Sequence, residues 1–470
     1  MERGYSNMRE HIDKERIYLF SPYAITATHV EIEGIIFEEK LRECVQLAVR
    51  RNELLNARVT LDDNGEAWYE TQVFDSNPNE QLRIYHNAYW KDIVSEQERV
   101  AFDLDHGELI RTFYIKNEDK QELLIIAHRL AGDGISFAFF IEDIFKAMSG
   151  QKVAAKSFCR FKHDDADNKQ SLPARMKLKQ QITTWKHEGA AFTEEDYYQL
   201  CTNAWKDRES YIAYETINTK QLYKIAAYAK ERGVTINAVI LTAFAMAAKS
   251  LRSVQVKTIS DNEKPKDGKR KLFRSHSENA SDGQIVNDTN VGFTPDEFSL
   301  EVSSRGDYRG VADCGVNMHF SFLYDETQDF SHNVRLLQEK IPTEQSGERD
   351  LFSSMISNFP GSLIDSIYFQ LQDMYESPVT QWAMEQLGIK DKPKGIAVTN
   401  MTGMPISDKY GSILLRNYAY VPPMVPNARR IIGITMFNGV MNISFRAMKD
   451  EYLQNAKLFF QKGIAFLREI

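Results

Sequence analysis

A predicted strand, turn and helix between residues 121 and 150 contain two apolar runs. Residues 122–127, "ELLIIA", are a largely apolar run, short enough for a strand that is buried on both faces. After the turn Gly132-Asp133-Gly134, residues 135–148 place apolar side chains at near-helical spacing, and Ser149-Gly150 marks the helix end. This segment therefore predicts the centre of a core in which a strand feeds a buried helix.

Similar patterns occur on both sides of this segment. Residues 28–36 alternate as a strand does, and residues 38–51 form an amphipathic helix. In the second half, Thr235 is the predicted N-cap of a helix that is apolar nearly all round. Asn438-Gly439 predicts a type I′ hairpin between two late strands. Strand–helix–strand order in both halves predicts an α/β fold.

The length of 470 residues favours two lobes, because a single core stops growing beyond about 250–300 residues. We expect one lobe over 1–175 and a second over 176–470, with residues 150–210 as loop and passage between them. Residues 260–310 are polar and charged and predict a long excursion from the second lobe.

Composition excludes several classes of function. A formal net charge of −8 argues against nucleic acid as a partner, and the polar N-terminus with no apolar run near 18 residues argues against a membrane partner. A cytoplasmic protein is expected. The four cysteines are widely spaced without a C-x-x-C pair, which predicts reduced thiols and no metal site.

Four strings resemble the superfamily of nonribosomal-peptide condensation domains, chloramphenicol acetyltransferase and alcohol acyltransferases. They are residues 30–59 (the family's opening strand, helix and R-H-x-x-L-R segment), 102–111 ("FDLDHGELIR"), 233–245 ("GVTINAVILTAFA") and 398–403 ("VTNMTG"). The last string places Asn400 and Gly403 on the family's S-N-x-G strand, which we expect to cross between lobes near residues 396–405. The resemblance implies two chloramphenicol-acetyltransferase-like lobes, each an α+β sandwich, forming a V with a tunnel between them.

A fifth string, "IAHRLAGDG" (126–134), carries the family motif H-H-x-x-x-D-G with one change. His128 takes the first histidine, Arg129 the second, and Asp133-Gly134 the close. The resemblance implies that the second histidine faces the tunnel as a base, that the aspartate is structural and bonded to an arginine, and that Gly134 is structural. Without the resemblance, Asp-Gly before a helix is ordinary turn and cap chemistry, and Asn400 and Gly403 are a strand end and a turn.

Arg129 cannot act as a general base, because a guanidinium stays protonated and offers only donors. His128 is its strand neighbour and should point to the opposite face, so a buried histidine bonded to backbone is the favoured interpretation over a replacement base. Where the family places the arginine that pairs with the motif aspartate, this chain has Asn56. A buried Asp133 needs a partner, and we predict Arg58 or Arg129.

Two functions remain open, and the first is narrowly favoured. One is an acyltransferase with impaired general-base catalysis, which takes an acyl group from a phosphopantetheine thioester of coenzyme A or a carrier protein and gives it to a small-molecule amine or hydroxyl. The other is an inactive condensation-like domain that binds or recruits another biosynthetic enzyme; the resemblance includes such platforms with an H-R-x-x-x-D string. In both cases we expect no permanently bound cofactor. A third, weaker possibility is an unrelated two-lobe protein.

Overall fold

The computed structural model describes residues 9–71, 75–159, 172–262, 296–303, 305–341, 356, 358–389 and 395–470. Its strands are β1 (Arg9–His11), β2 (Ile25–Glu33), β3 (Ala57–Leu61), β4 (Ala67–Thr71), β5 (Leu82–His86), β6 (Ile110–Lys116), β7 (Gln121–His128), β8 (Ser210–Ile217), β9 (Asp296–Ser303), β10 (Gly315–Phe322), β11 (Gly395–Met401), β12 (Lys409–Tyr410), β13 (Ile413–Val421), β14 (Ala428–Phe437) and β15 (Val440–Met448). Its helices are α1 (Arg16–Leu19), α2 (Glu38–Arg51), α3 (Trp90–Gln97), α4 (Gly134–Met148), α5 (Leu172–Glu188), α6 (Glu194–Trp205), α7 (Thr219–Arg232), α8 (Ile236–Asn262), α9 (Phe330–Lys340), α10 (Gly361–Leu371), α11 (Pro378–Gln386) and α12 (Leu453–Glu469).

The first six-stranded sheet has the order β12-β13-β2-β7-β6-β5 and contains the strand predicted at residues 122–127. β7 lies between β2 and β6, antiparallel to both, and Ile25 faces His128 at its end. Leu123 through Ala127 have no exposed surface. The continuous apolar run is therefore explained by a strand that packs on both faces, and this prediction is confirmed.

A second six-stranded sheet has the order β10-β9-β11-β14-β15-β8. The hairpin between β14 and β15 turns at Asn438 (φ 52°) and Gly439 (φ 74°), as the Asn-Gly pair predicts. β11 runs parallel to β9 and β14. After β11 the chain passes to the first sheet, where β13 pairs with β2. A third, small sheet has the order β1-β4-β3.

The chain forms two compact units. The first comprises residues 1–222, 297–320 and 342–448. The second comprises 223–296, 321–341 and 449–470, and in it α8 packs closely on α12, where the Phe244 and Phe459 rings lie 5.3 Å apart. The expected mixture of helices and sheets is confirmed. The lobe boundary at residue 175, and the tunnel between two lobes, stay predictions.

Two polar segments were predicted wrongly as irregular. Within 150–210, α5 and α6 are regular helices, and α6 begins with a capping box formed by Thr193 and Asp196. Within 260–310, residues 296–303 are the strand β9, whose Phe298 pairs with Ile396 of β11. Tertiary pairing overrides composition in this strand. Residues 263–295 of the predicted excursion lie outside the described residues.

In the part of the chain that the structure describes, no single helix is long and apolar enough to span a membrane. The bent pair of α7 and the first turns of α8 meets that criterion only by combined length and composition, and its two helices diverge by 103°.

Candidate functional site

The motif loop joins the end of β7 to the start of α4 through a short 3₁₀ turn, Arg129–Ala131. Gly132 has φ of 150°, and a Cβ there would lie 2.6 Å from Ser136 Oγ, so this position requires glycine. At Gly134 a Cβ would overlap Met401 Sδ and lie 3.0 Å from the Tyr420 ring. Gly132 thus lets the loop lie close to Ser136 of α4, and Gly134 lets β11 and β13 approach it. Every residue of this candidate site belongs to the first unit.

Asp133 is fully occupied by hydrogen bonds that hold the loop. Its Oδ1 accepts the backbone N–H of Ser136 at 2.9 Å, which caps α4, and also accepts from Arg305 Nη2. Its Oδ2 accepts from Ser303 Oγ at 2.8 Å. The role of a structural, arginine-bonded aspartate is thus present, with an arginine from the loop after β9.

The prediction that Arg58 or Arg129 pairs with Asp133 is wrong. Arg58 lies on a half-exposed hairpin and contacts Glu70 at 3.5 Å. Asn56 ends the turn after α2, where its amide donates to the carbonyls of Val49 and Asn52. Both residues therefore make their contacts near β3. The arginine that pairs with Asp133 is Arg305, which lies 172 residues after Asp133 in the sequence.

Arg129 is almost completely buried, with 1% of its surface exposed. Its Nη2 donates to Glu301 Oε1 and lies 3.0 Å from Asp313 Oδ1, while the guanidinium stacks on the Tyr18 ring. Burial alone would lower the pKa of Arg129, but the two carboxylates raise that pKa well above its usual value. Gly315 makes room for the cluster, because a Cβ there would lie 2.6 Å from Arg129 Nη2. Arg129 is a permanently charged part of a buried ion cluster.

His128 is equally buried and turns away from that cluster. Its Nδ1 accepts the backbone N–H of Leu130 at 3.3 Å, and its ring packs on Phe102. The proton is then on Nε2, which has no hydrogen-bond partner among the described residues. Burial, assisted by the charge of Arg111, lowers the pKa of His128 to about 3. The Nε2 of the imidazole is therefore a hydrogen-bond donor, whereas a general base needs a nitrogen with an available lone pair.

We expect the His128 ring resonances to remain unchanged between pH 5 and 8 in NMR titrations. The unfolded chain protonates this residue near pH 6.5, so His128 lowers stability as the pH falls from 6.5 towards about 3. His106 is the control: it is exposed, and its hydrogen bond to Asp103 raises its pKa, so it should titrate above pH 6.5. A His128 titration within pH 5–8 would contradict the buried neutral state.

A cavity of about 510 Å³ is lined in part by Ser303 and Arg305, the two residues whose side chains donate to Asp133. Its lining includes Ile135 and Phe139 of α4 and both predicted residues of the "VTNMTG" strand, Asn400 and Gly403. It adjoins a narrow neck of about 10 Å³ that reaches Glu301 and Asp133. Neither space is lined by His128 or Arg129. The structure therefore brings Asn400 and Gly403 to the large cavity and Asp133, with Asn400, to the adjoining neck, whereas Arg129 and His128 line neither space.

A possible metal-ligand group lies elsewhere in the first unit. Asp103, Asp105 and His106 bring their ligand atoms within 4.8 Å of one another. His106 is hydrogen-bonded to Asp103, and the Tyr198 hydroxyl lies 2.8 Å from Asp105 Oδ1 and 3.1 Å from Asp103 Oδ1, so that it can donate its proton to either. The four cysteines are free thiols.

The sequence missed four residues that build the site: Glu301, Ser303, Arg305 and Asp313. All of them come from the β9–β10 region; the first three lie within residues 260–310, which were predicted as an excursion, and Asp313 was given no role. One signal was available. A buried Asp133 and a buried arginine at 129 both require opposite charges, and residues 301–313 contain acid and arginine at short spacing.

Comparison with known proteins identifies the fold. The condensation-domain family model matches residues 21–255, half of the chain. A hybrid PKS-NRPS synthetase, xenE of Xenoacremonium sinensis, is 26% identical over 204 residues, which cover 41% of this chain and 5% of that protein. The chain thus matches only a small part of that relative's length.

Two solved structures have the same fold over nearly the whole length of this chain. The first condensation domain of the CDA synthetase superposes with a TM-score of 0.60 at 13% identity, covering 99% of this chain and 96% of that one. Polyketide synthase associated protein 5 from Mycobacterium tuberculosis gives 0.56 at 10% identity, covering 98% of both chains. With the motif loop, its bonded aspartate and the family match in place, the chain belongs to the condensation-domain family.

Proposed function

We propose that this chain binds an acyl or peptidyl thioester, or the carrier protein or enzyme that presents it, without transferring the acyl group through its motif. The family acts in acyl and peptide transfer in nonribosomal peptide synthesis, together with carrier-protein domains that hold substrates as phosphopantetheine thioesters. This chain keeps the structural aspartate of the motif, Asp133, bonded to an arginine. It lacks the second histidine of the motif, which would act as the base.

The state of Arg129 carries the proposal. A base must accept a proton, and the guanidinium is buried, charged and bonded to Glu301 and Asp313. His128 offers no replacement, because its buried ring is neutral with the proton on the free nitrogen. General-base assistance is typically worth about 10²–10⁴-fold, so transfer through this motif should fall by that factor.

A second candidate is transfer by positioning alone, and the cavity of about 510 Å³ next to Asp133 favours it. Holding two reactants together is worth roughly 7–11 kcal/mol in favourable cases. That mechanism needs space for both reactants at one point. The neck, which Glu301 and Asp133 line, has a volume of about 10 Å³ and holds about one water molecule. It adds no space for a second reactant, which argues against transfer by positioning.

Acyl transfer is the direct test. Acyl-coenzyme A and acyl-carrier-protein donors are mixed with amine and hydroxyl acceptors, and product is measured by mass spectrometry. We expect no product above the rate with Asp133→Ala or without protein, while the carrier-protein thioester binds in equilibrium titrations. Turnover that Asp133→Ala abolishes would overturn the proposal in favour of the second candidate.

Restoring the histidine separates a missing base from a remodelled site. Arg129→His alone would leave two buried carboxylates without their partner, so the informative variant combines Arg129→His with Glu301→Gln and Asp313→Asn. We expect this triple variant to fold, judged by its circular dichroism and thermal transition, and to remain inactive because the cavity ends before residue 129. A gain of about 10²-fold or more would show that only the base was missing.

A further inference from the structure

Arg309 is a solvent-accessible cation at the border of the large cavity. Its Cζ lies 4.3 Å from the centre of the Phe139 ring, and its Nη2 donates to the Pro405 carbonyl at 2.7 Å. Phe139 and Pro405 both line the cavity, as does Arg309 itself. In contrast to the buried Arg305, Arg309 has 45% of its side chain exposed. An anion in solution can therefore reach Arg309 at this border.

The guanidinium of Arg309 has hydrogen-bond donors left for a ligand. Its Nη2 has two protons and donates to Glu142 Oε2 at 2.8 Å and to the Pro405 carbonyl. Its Nε and Nη1 form no hydrogen bond with any residue that the structure describes. Stacking on Phe139 and the two bonds of Nη2 hold the side chain in place, so that less entropy is lost when a ligand binds.

The charges next to Arg309 determine how an anion is received there. Glu142 pairs with Arg309 and also with Lys146, at 3.2 Å, so one negative charge faces two positive charges. Asp307 is an exposed carboxylate of the same lining, two residues before Arg309, and it forms no ion pair with a described residue. Its charge opposes an anion at the border. Removal of the Arg309 charge and removal of the Asp307 charge should therefore have opposite effects on an anionic ligand.

Resting on the proposed binding function, we propose that Arg309 binds the phosphate of a phosphopantetheine thioester whose acyl end enters the cavity. The cavity volume of about 510 Å³ is in the usual range for small ligands, and Ile135 and Met401 are among its apolar walls. A phosphate suits this border because it stays partly in water while it accepts charge-assisted hydrogen bonds from Nε or Nη1. Coenzyme A and a carrier protein both present this phosphate. Arg309 is thus a specificity-determining residue and takes no part in bond formation.

Two probes that differ only in the phosphate test this assignment. They are S-octanoyl phosphopantetheine and S-octanoyl pantetheine, titrated calorimetrically into the full chain. We expect the phosphate probe to bind about fivefold more tightly at about 0.02 M salt and to lose this advantage at about 0.5 M salt, because salt screens exposed charges. Arg309→Met should remove the difference by weakening only the phosphate probe. Arg309→Lys should retain part of the difference, and Asp307→Asn should increase it.

Arg416→Met is the matched control. Arg416 is 43% exposed and bonds to Glu33 as Arg309 bonds to Glu142, but it does not line the cavity. This variant should keep the preference for the phosphate probe. S-octanoyl coenzyme A distinguishes the two sources of the phosphate: tighter binding than that of S-octanoyl phosphopantetheine favours free coenzyme A as the ligand, and equal or weaker binding favours the carrier-bound form.

Each contrary result has one meaning. Equal binding of both probes to the unaltered protein, or an unchanged preference in Arg309→Met, would overturn the role of Arg309 and leave the proposed binding function standing. Failure of both probes to bind at millimolar concentration would overturn phosphopantetheine thioesters as the ligand class. Transfer of the octanoyl group to an added amine would instead overturn the proposed function, whatever the preference between probes. Thermal melting of the Arg309 variants identifies loss of binding through unfolding.

Discussion

Arg129→Met is expected to lower the free energy of unfolding by about 3–5 kcal/mol, the usual cost of removing one partner from a buried ion cluster. The change leaves the largely buried carboxylates of Glu301 and Asp313 without their guanidinium, and Lys14, 4.0 Å from Asp313, is then the one cation that pairs with either of them among the described residues. Urea denaturation monitored by circular dichroism measures the loss. Arg58→Met is the matched control, because Arg58 is 40% exposed and its ion pair with Glu70 is worth about 0–1 kcal/mol.

The same variant should show a distinctive dependence on pH. Burial already raises the pKa of Glu301, and the Arg129 guanidinium opposes that shift. Without Arg129 the folded protein takes up a proton at a higher pH than the unfolded chain does. The stability deficit should therefore shrink as the pH falls from 7 towards 4. A deficit below about 1 kcal/mol, or one independent of pH, would contradict the buried cluster.

The local elements of the fold were predictable from the sequence. The period of the apolar residues in α2 and the Asn438-Gly439 turn are short-range signals, and the structure has a helix over Glu38–Arg51 and a hairpin at that turn. Thr235 likewise caps α8, since its Oγ1 accepts the backbone N–H of Ala238 at 3.1 Å. These predictions succeeded because the interactions that define them span only a few residues.

The site was predictable only in part, because its charges are paired over long sequence distances. The motif string placed Asp133 and Arg129 in one loop, but Glu301 lies 172 residues after Arg129 and Arg305 lies 172 residues after Asp133. Local strand geometry suggested Arg58, two residues from Asn56 and on the same face. The pairing of β9 with β11 positions the partners of both residues. The sequence of a polar strand such as β9 contains no pattern that predicts which strand it pairs with.

Arg305→Met should destabilise the protein by about 3–5 kcal/mol, because Asp133 would lose its only arginine partner among the described residues. Arg309 provides a close comparison: both guanidinium groups stack on Phe139, but Arg309 is 45% exposed and bonds to Glu142 and the Pro405 carbonyl at the cavity rim.

Arg309→Met should therefore cost about 1 kcal/mol or less in the same urea denaturation. The double variant Arg305→Met with Asp133→Asn should lose less stability than Arg305→Met alone, since no charge is then left buried, and Asn is an acceptable N-cap for α4. Equal losses for Arg305→Met and Arg309→Met would contradict the structural role of the Asp133–Arg305 pair. A double variant that is less stable than the single one would show that the pair contributes through packing instead. In that case the charge pairing with Arg305 would not account for the burial of Asp133.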